Sequence, residues 1–199
     1  ESSYLRGTTR DWLAKLEVPA LGGEVRLLGY ESRNDLNATA AAGAEPTPGH
    51  NVFEWHSRSL GGEWSRTFSR TTLRFRGWSA TTDAGSAWAA QNGKIAMTAT
   101  RRDGGAVATV EKSSAVATTI AGLRMEASHT AYRIDPDSSP YAAMALSAST
   151  TVTTVFAEHA RALGGRVDFK LGASVGAATG SLHLGPRAQL RWRPSAQFT

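Results

Sequence analysis

The sequence predicts an all-β chain, an antiparallel up-and-down meander or barrel of about 8–10 strands with a short N-terminal helix. Three observations carry that expectation. The first is strict alternation near the end of the chain. Val167, Phe169, Leu171, Ala173, Val175 and Ala177 alternate with Arg166, Asp168, Lys170, Gly172, Ser174 and Gly176. A period of two belongs to a strand with one apolar and one polar face. It resumes over residues 187–198, where Ala188, Leu190, Trp192, Pro194, Ala196 and Phe198 alternate with Arg187, Gln189, Arg191, Arg193, Ser195 and Gln197. The second is a recurring Leu-Gly-Gly: Leu21-Gly22-Gly23, Leu60-Gly61-Gly62 and Leu163-Gly164-Gly165, with Gly104-Gly105 as a looser relative. Paired glycines supply the positive φ of tight hairpin turns. The third is the set of longer polar connections between these turns, residues 32–49, 81–93 and 135–140.

Composition bounds the rest. A chain of 199 residues holds one sizeable β domain or two small ones, and 41% apolar residues exclude a disordered chain. With no cysteine there is neither a disulfide framework nor a thiolate metal site. The net charge of +5 comes from scattered arginines rather than a basic tail. No run reaches the roughly 18 apolar residues of a membrane helix. No basic-then-apolar leader opens the chain, so an exported form is expected to have lost its signal already.

Residues 1–20 read as a separate short segment. Thr9 is placed to cap a helix, Trp12, Leu13 and Leu16 fall at helical spacing, and Pro19 stops it. One or two turns need something to dock on, here the sheet formed by residues 21–199. The strands expected there are 24–31, 51–59, 63–79, 94–102, 106–111 continuing through 115–134, 141–162, 166–177 and 187–198. The two around Asp135–Pro140 come out near twenty residues each. That is far above the usual five or six, so they either break (at 112–114 or Gly122) or project as a ribbon.

Val52-Phe53-x-x-His56-x-Arg58-x-Leu60-Gly61-Gly62 matches Val155-Phe156-x-x-His159-x-Arg161-x-Leu163-Gly164-Gly165. The match places both histidines beside turns, in a shared structural hydrogen bond.

With the Leu-Gly-Gly hairpins, Gly185-Pro186-Arg187-Ala188-Gln189-Leu190-Arg191-Trp192 and the alternating end that places Phe198 next to last, the layout resembles bacterial outer-membrane β-barrels, particularly autotransporter translocators. The resemblance implies a barrel in the outer membrane, with polar residues in the lumen and apolar ones facing lipid.

Arg66, Arg70, Arg74 and Arg76 share one parity of 63–79. If that strand is continuous they form a positive ridge, the candidate lumen or anion-binding group, with Trp64 and Trp78 at its ends and Phe68 within it. Gly172-Ala173-Ser174-Val175-Gly176 fits a nucleophile-elbow pattern but lies inside an alternating strand with no helix behind it. Ser128 and His129, as strand neighbours, face opposite sides and cannot act as a pair. His50, His56, His129, His159 and His183 lack metal-ligand spacing. Asp135-Pro136-Asp137 reads as a turn rather than a calcium loop, and Asn37-Ala38-Thr39 as a glycosylation sequon only in a secretory context.

No enzymatic constellation is expected, no cofactor and no metal; nucleic acid is not the expected partner. Two functions remain. One is an envelope β-barrel or pore serving passive transport or translocation, in the outer membrane and in contact with lipid. The other is a structural subunit of a virion, phage tail or surface assembly, built by strand pairing with neighbouring subunits or copies of itself. The weak apolar stripe over 141–158 favours the second, the hairpin layout and terminal alternation the first.

Overall fold

The computed structural model describes residues 4–39, 51–90, 93–136, 142–178 and 180–193. Nine strands account for nearly all of them: β1 (Tyr4–Ala20), β2 (Gly23–Thr39), β3 (Asn51–Phe68), β4 (Thr71–Ala90), β5 (Gly93–Ser113), β6 (Ala117–Pro136), β7 (Met144–Leu163), β8 (Val167–Ala178) and β9 (Ser181–Trp192). Each pairs antiparallel with its sequence neighbours in a single sheet of order β1 to β9. Of the three prolines in described strands, Pro19 and Pro186 sit on edge strands β1 and β9, where a missing ladder donor is tolerated, and Pro136 is the last residue of β6.

The expected meander is therefore present, with four local corrections. Residues 4–20 form a strand, not a helix. Trp12 and Leu16 fit helical spacing, yet Ala14, Val18 and Ala20 fall on the same parity and extend a period of two. Gly61-Gly62 lies inside β3, and Gly104-Gly105 inside β5. Only Gly22 (φ 69°) and Gly164 (φ 73°) of the Leu-Gly-Gly copies make turns. The expected strand 63–79 is a hairpin instead, with Ser69 (φ 56°) and Arg70 linking β3 to β4. Residues 81–90 continue β4 rather than forming a loop. Of the two candidate breaks, the one near 112–114 is real: β5 and β6 are joined by residues 114–116. Gly122 is interior to β6. The long strands around residue 135 are confirmed at 20 residues each, but β1 to β7 are all 17–21 residues long.

The register sorts side chains into rows across the sheet. Val18, Val25, Trp64, Phe75, Ala108, Leu123, Val155, Val175 and Leu184 are consecutive partners on one face, and every one is apolar. Three rows farther along that face toward the long connections, the partners are Trp12, Glu31, Arg58, Thr81, Arg102, His129 and Ser149. The apolar belt therefore ends abruptly. It fills all of β8 and β9 and the short-turn half of the longer strands, which run on beyond it as a polar extension. A belt strand of about 11 residues rises some 36 Å and, tilted about 40°, spans roughly 27 Å, close to a bilayer's apolar thickness in barrels.

The opposite face is concave. From Lys15 on β1 to Phe156 on β7 it borders an open hollow of about 820 Å³. The two faces exchange polarity in the extension: Leu36, Phe53, Trp55, Met97 and Ile134 lie on the concave side there, with the Phe53 and Trp55 rings 5.2 Å apart. The weak stripe in 141–158, made of the even-numbered residues of that stretch, lies on the concave face rather than toward the belt. On the convex face, residues 145–149 of β7 lie in the extension, beyond the belt.

Among the described residues no apolar side chain is buried. The chain exposes 14448 Å², against roughly 9,000 Å² expected for a compact monomer of this mass. A single curved sheet leaves its apolar belt for another medium to cover.

Candidate anion-binding face

Strand alternation sends the belt residues outward and, at the same height, all the carboxylates and most of the cations of β1 to β8 onto the concave face; Arg66, Lys112 and Arg161 are convex. Lys15 lies 2.9 Å from Glu17, and Arg26 lies 2.7 Å from Glu24 and 3.4 Å from Glu17. Glu63 is held between two arginines. Arg76 donates to Glu63 Oε2 through Nη2 (2.5 Å) and Nε (2.9 Å), and Arg74 Nε is 3.5 Å from Oε1. That Arg74 Nε is buried without a hydrogen bond. Farther round, Arg124 lies 2.6 Å from Glu126 with its guanidinium carbon 5.9 Å from the Trp78 ring centroid, within cation–π range. Lys170 pairs with Glu158 at 2.7 Å, and Arg193 pairs with Asp168.

The cavity takes five cations from this network (Lys15, Arg26, Arg74, Arg76, Arg124) and one carboxylate, Glu63, with Trp78 and Phe156 as apolar floor. Glu17, Glu24 and Glu126 pair with three of these cations at the cavity's margin, so the wall keeps only a small excess of positive charge, centred on Arg74 and Arg76. It can hold a phosphate, carboxylate or sulfonate by paired guanidinium hydrogen bonds.

Of the four arginines predicted as a ridge, Arg74 and Arg76 line this cavity. Arg66 does not. Phe68 pairs with Thr71 across a two-residue turn, so even-numbered residues face outward on β3 and inward on β4. Arg66 lies on the convex face, its guanidinium carbon 4.3 Å from the Phe68 ring centroid, and Arg70 is in the turn, where its carbonyl accepts from Ser113 N. Lys15, Arg26, Glu63 and Arg124 escaped the sequence argument. Their only signal was charge on the parity opposite the apolar residues, which becomes a site once the register is fixed.

The remaining candidates disperse. Ser174 sits within β8 on the concave face, its hydroxyl 3.4 Å from Gly185 O, with no helix following. Ser128 and His129 face opposite sides, as expected; His129 Nδ1 instead meets Ser149 Oγ at 2.8 Å. His56 and His159 are not equivalent: His56 bonds Glu31 (2.6 Å) in the extension, and His159 bonds Thr119 (2.8 Å) near the short turns. Asp135 pairs with Arg133 at 2.5 Å, and Asp137 lies outside the described residues.

No protein-family model and no curated protein matches the sequence. Solved structures do match. The ferric yersiniabactin uptake receptor FyuA from Yersinia pestis superposes with a TM-score of 0.62 at 10% identity, over 94% of this chain and 34% of that one. BauA, the ferric preacinetobactin receptor from Acinetobacter baumannii, gives 0.56 at 10% identity, over 94% and 36%. The β domain of the Bordetella autotransporter BrkA is also matched, at a TM-score of 0.23 that does not support the autotransporter subtype. The chain spans about a third of the length of the two receptors. Its fold, a nine-stranded antiparallel up-and-down sheet, matches part of those two receptors.

Proposed function

We propose that this chain forms part of the wall of an outer-membrane β-barrel, with the belt against lipid and the arginine-rich concave face lining a water-filled path that favours anions. The single observation that carries this is the segregation of charge. From the short turns through the row of Leu60 the convex face holds no carboxylate, while Glu17, Glu24, Glu63, Glu111, Glu158 and Asp168 all fall on the concave one. A carboxylate turned toward lipid is destabilising, though by less than the roughly 2–4 kcal/mol of an arginine or lysine at the midplane, and the convex cations Lys112 and Arg161 lie near the short turns. No such pressure acts on a sheet in water.

β1 and β9 run in the same direction and do not pair with each other among the described residues. An all-antiparallel barrel would thus need an odd number of further strands between them, a geometry consistent with receptors about three times this chain's length. The free edges equally suit pairing with other subunits in a soluble assembly. The apolar belt on the convex face supports the barrel reading.

The test is reconstitution into liposomes. Anion-over-cation selectivity is expected, inverted in Arg74→Glu/Arg76→Glu. A chain that stays soluble and monodisperse without detergent, and leaves liposomes intact, would defeat the proposal.

A further inference from the structure

We infer that the short-turn rim of the convex face carries a binding site for the phosphate of anionic phospholipid headgroups, built from Lys112, His159 and Arg161. The inference rests on the belt being the lipid-facing surface and adds a specific lipid ligand to it. Lys112 on β5 pairs with Thr119 on β6, and Thr119 with His159 on β7, so the three occupy one row of the convex face. Arg161, two residues beyond His159, projects from the same face opposite Phe169. Thr119 Oγ1 lies 2.8 Å from His159 Nδ1, which fixes the imidazole with its other nitrogen free to face a ligand. The ring packs 6.0 Å from that of Phe169.

Two features separate this cluster from ordinary surface cations. Neither Lys112 nor Arg161 has an ion-pair partner among the described residues, and the convex face offers none at this height. Around the extension, by contrast, cations and acids are mixed: Arg33 pairs with Asp35, Arg58 with Glu31 and Arg133 with Asp135. The position also matters. The cluster sits at the edge of the belt, beside Phe169 and within two strands of Trp192. Aromatic rings there mark the headgroup level, and lysine or arginine stems reach from it toward phosphates. A basic residue at a membrane surface carrying anionic lipid gains on the order of fivefold in partitioning.

The experiment folds the full chain into phosphatidylcholine vesicles containing phosphatidylglycerol, with one lipid or the other brominated on its acyl chains, and reads quenching of the tryptophans. Trp64 and Trp192 lie on the belt. Wild type is expected to show at least about fivefold preference for brominated phosphatidylglycerol. Lys112→Gln/Arg161→Gln should abolish it, Lys112→Arg/Arg161→Lys should keep it, and Arg58→Gln/Arg102→Gln in the extension should leave it unchanged. Equal quenching by both lipids in wild type, or a preference that survives the glutamine pair, overturns the headgroup site while leaving the barrel intact. Absence of quenching by either lipid removes the lipid-facing belt, and the site with it.

Discussion

Trp78 on β4 stands directly opposite Gly105 on β5, and its indole fills the space a side chain at 105 would need. A Cβ at Gly105 would meet Trp78 Cζ2 at 2.5 Å and the Met125 carbonyl oxygen at 2.6 Å. Phe156 and Gly122 repeat the arrangement between β7 and β6, with ring carbon Cζ at 2.6 Å. Both rings floor the cavity, so glycine opposite an aromatic lets a large ring lie flat along a concave wall.

Gly105→Ala should therefore destabilise the sheet by about 1–3 kcal/mol, since both the ring and a backbone carbonyl must move. Gly165→Ala, with nothing within 4 Å of its Cβ, should stay within about 0.5 kcal/mol of wild type. Urea titrations of the vesicle-folded chain would compare them, and a blue- or red-shifted Trp78 emission in the first variant alone would report the displaced ring.

The turns give a second, purely backbone test. Gly164 has φ 73° and open space around it, so Gly164→Val meets only left-handed strain, about 1–2 kcal/mol. Gly61→Ala should be tolerated, because its Cβ would come no closer than 3.7 Å to the Gly77 oxygen. Comparable losses in both variants would contradict the placement of Gly61 inside β3.

What the sequence disclosed, and what it hid, divides along a physical line. Alternation exposed β8 almost residue for residue, because it lies wholly within the belt and keeps one polarity from end to end, whereas β9 was expected at 187–198 and the described strand is Ser181–Trp192. The longer strands change polarity midway. In β7 the stripe that looked weak, the even-numbered residues through Phe156, is the concave side, while the convex side changes from Val155 to Ser147 midway. Gly61-Gly62 and Gly164-Gly165 are chemically alike, and only neighbouring strands distinguish a turn from a flat stretch opposite Gly77 and Trp78. The arginine ridge failed for the related reason that two turn residues, Ser69 and Arg70, reverse which parity faces inward. The concave site depends on pairings between strands far apart in sequence, such as Arg26 with Glu63, and pairing register is invisible to a local pattern.

Acid should loosen the outer end of β6. Asp135, in the extension well beyond the belt, has its carboxyl held below the usual aspartate range, first by the hydrogen bond from Arg133 and then by that residue's charge. A depressed folded pKa means the stabilisation is fully present above the unfolded value of about 3.9 and is lost as pH falls through the lower folded one. Amide exchange at Arg133 and Ile134, referenced to residues 121–125 of the same strand, should rise below about pH 4. Asp135→Asn should show that faster exchange at neutral pH and little further change on acidification; an unaltered pH response in the variant would assign the loosening elsewhere.

The sharpest prediction concerns the medium around the belt. Leu123 and Arg124 are adjacent on β6 and face opposite ways, Leu123 in the all-apolar row and Arg124 over Trp78 in the cavity. Leu123→Arg would place a guanidinium near the middle of the belt. In lipid vesicles this should reduce folding stability by about 2–4 kcal/mol, whereas the same change on a water-exposed sheet falls within about 0.5 kcal/mol. Arg124→Leu removes a concave cation and leaves Glu126 without its partner, yet adds no charge to lipid, so it should be the milder change in vesicles. Folding efficiency measured in bilayers of increasing acyl-chain length separates the two further. The Leu123→Arg penalty should grow as the bilayer thickens and the nearest interface recedes, while Arg124→Leu should show no such trend. Equal, thickness-independent effects would place Leu123 in water, and the belt would then have to be covered by protein.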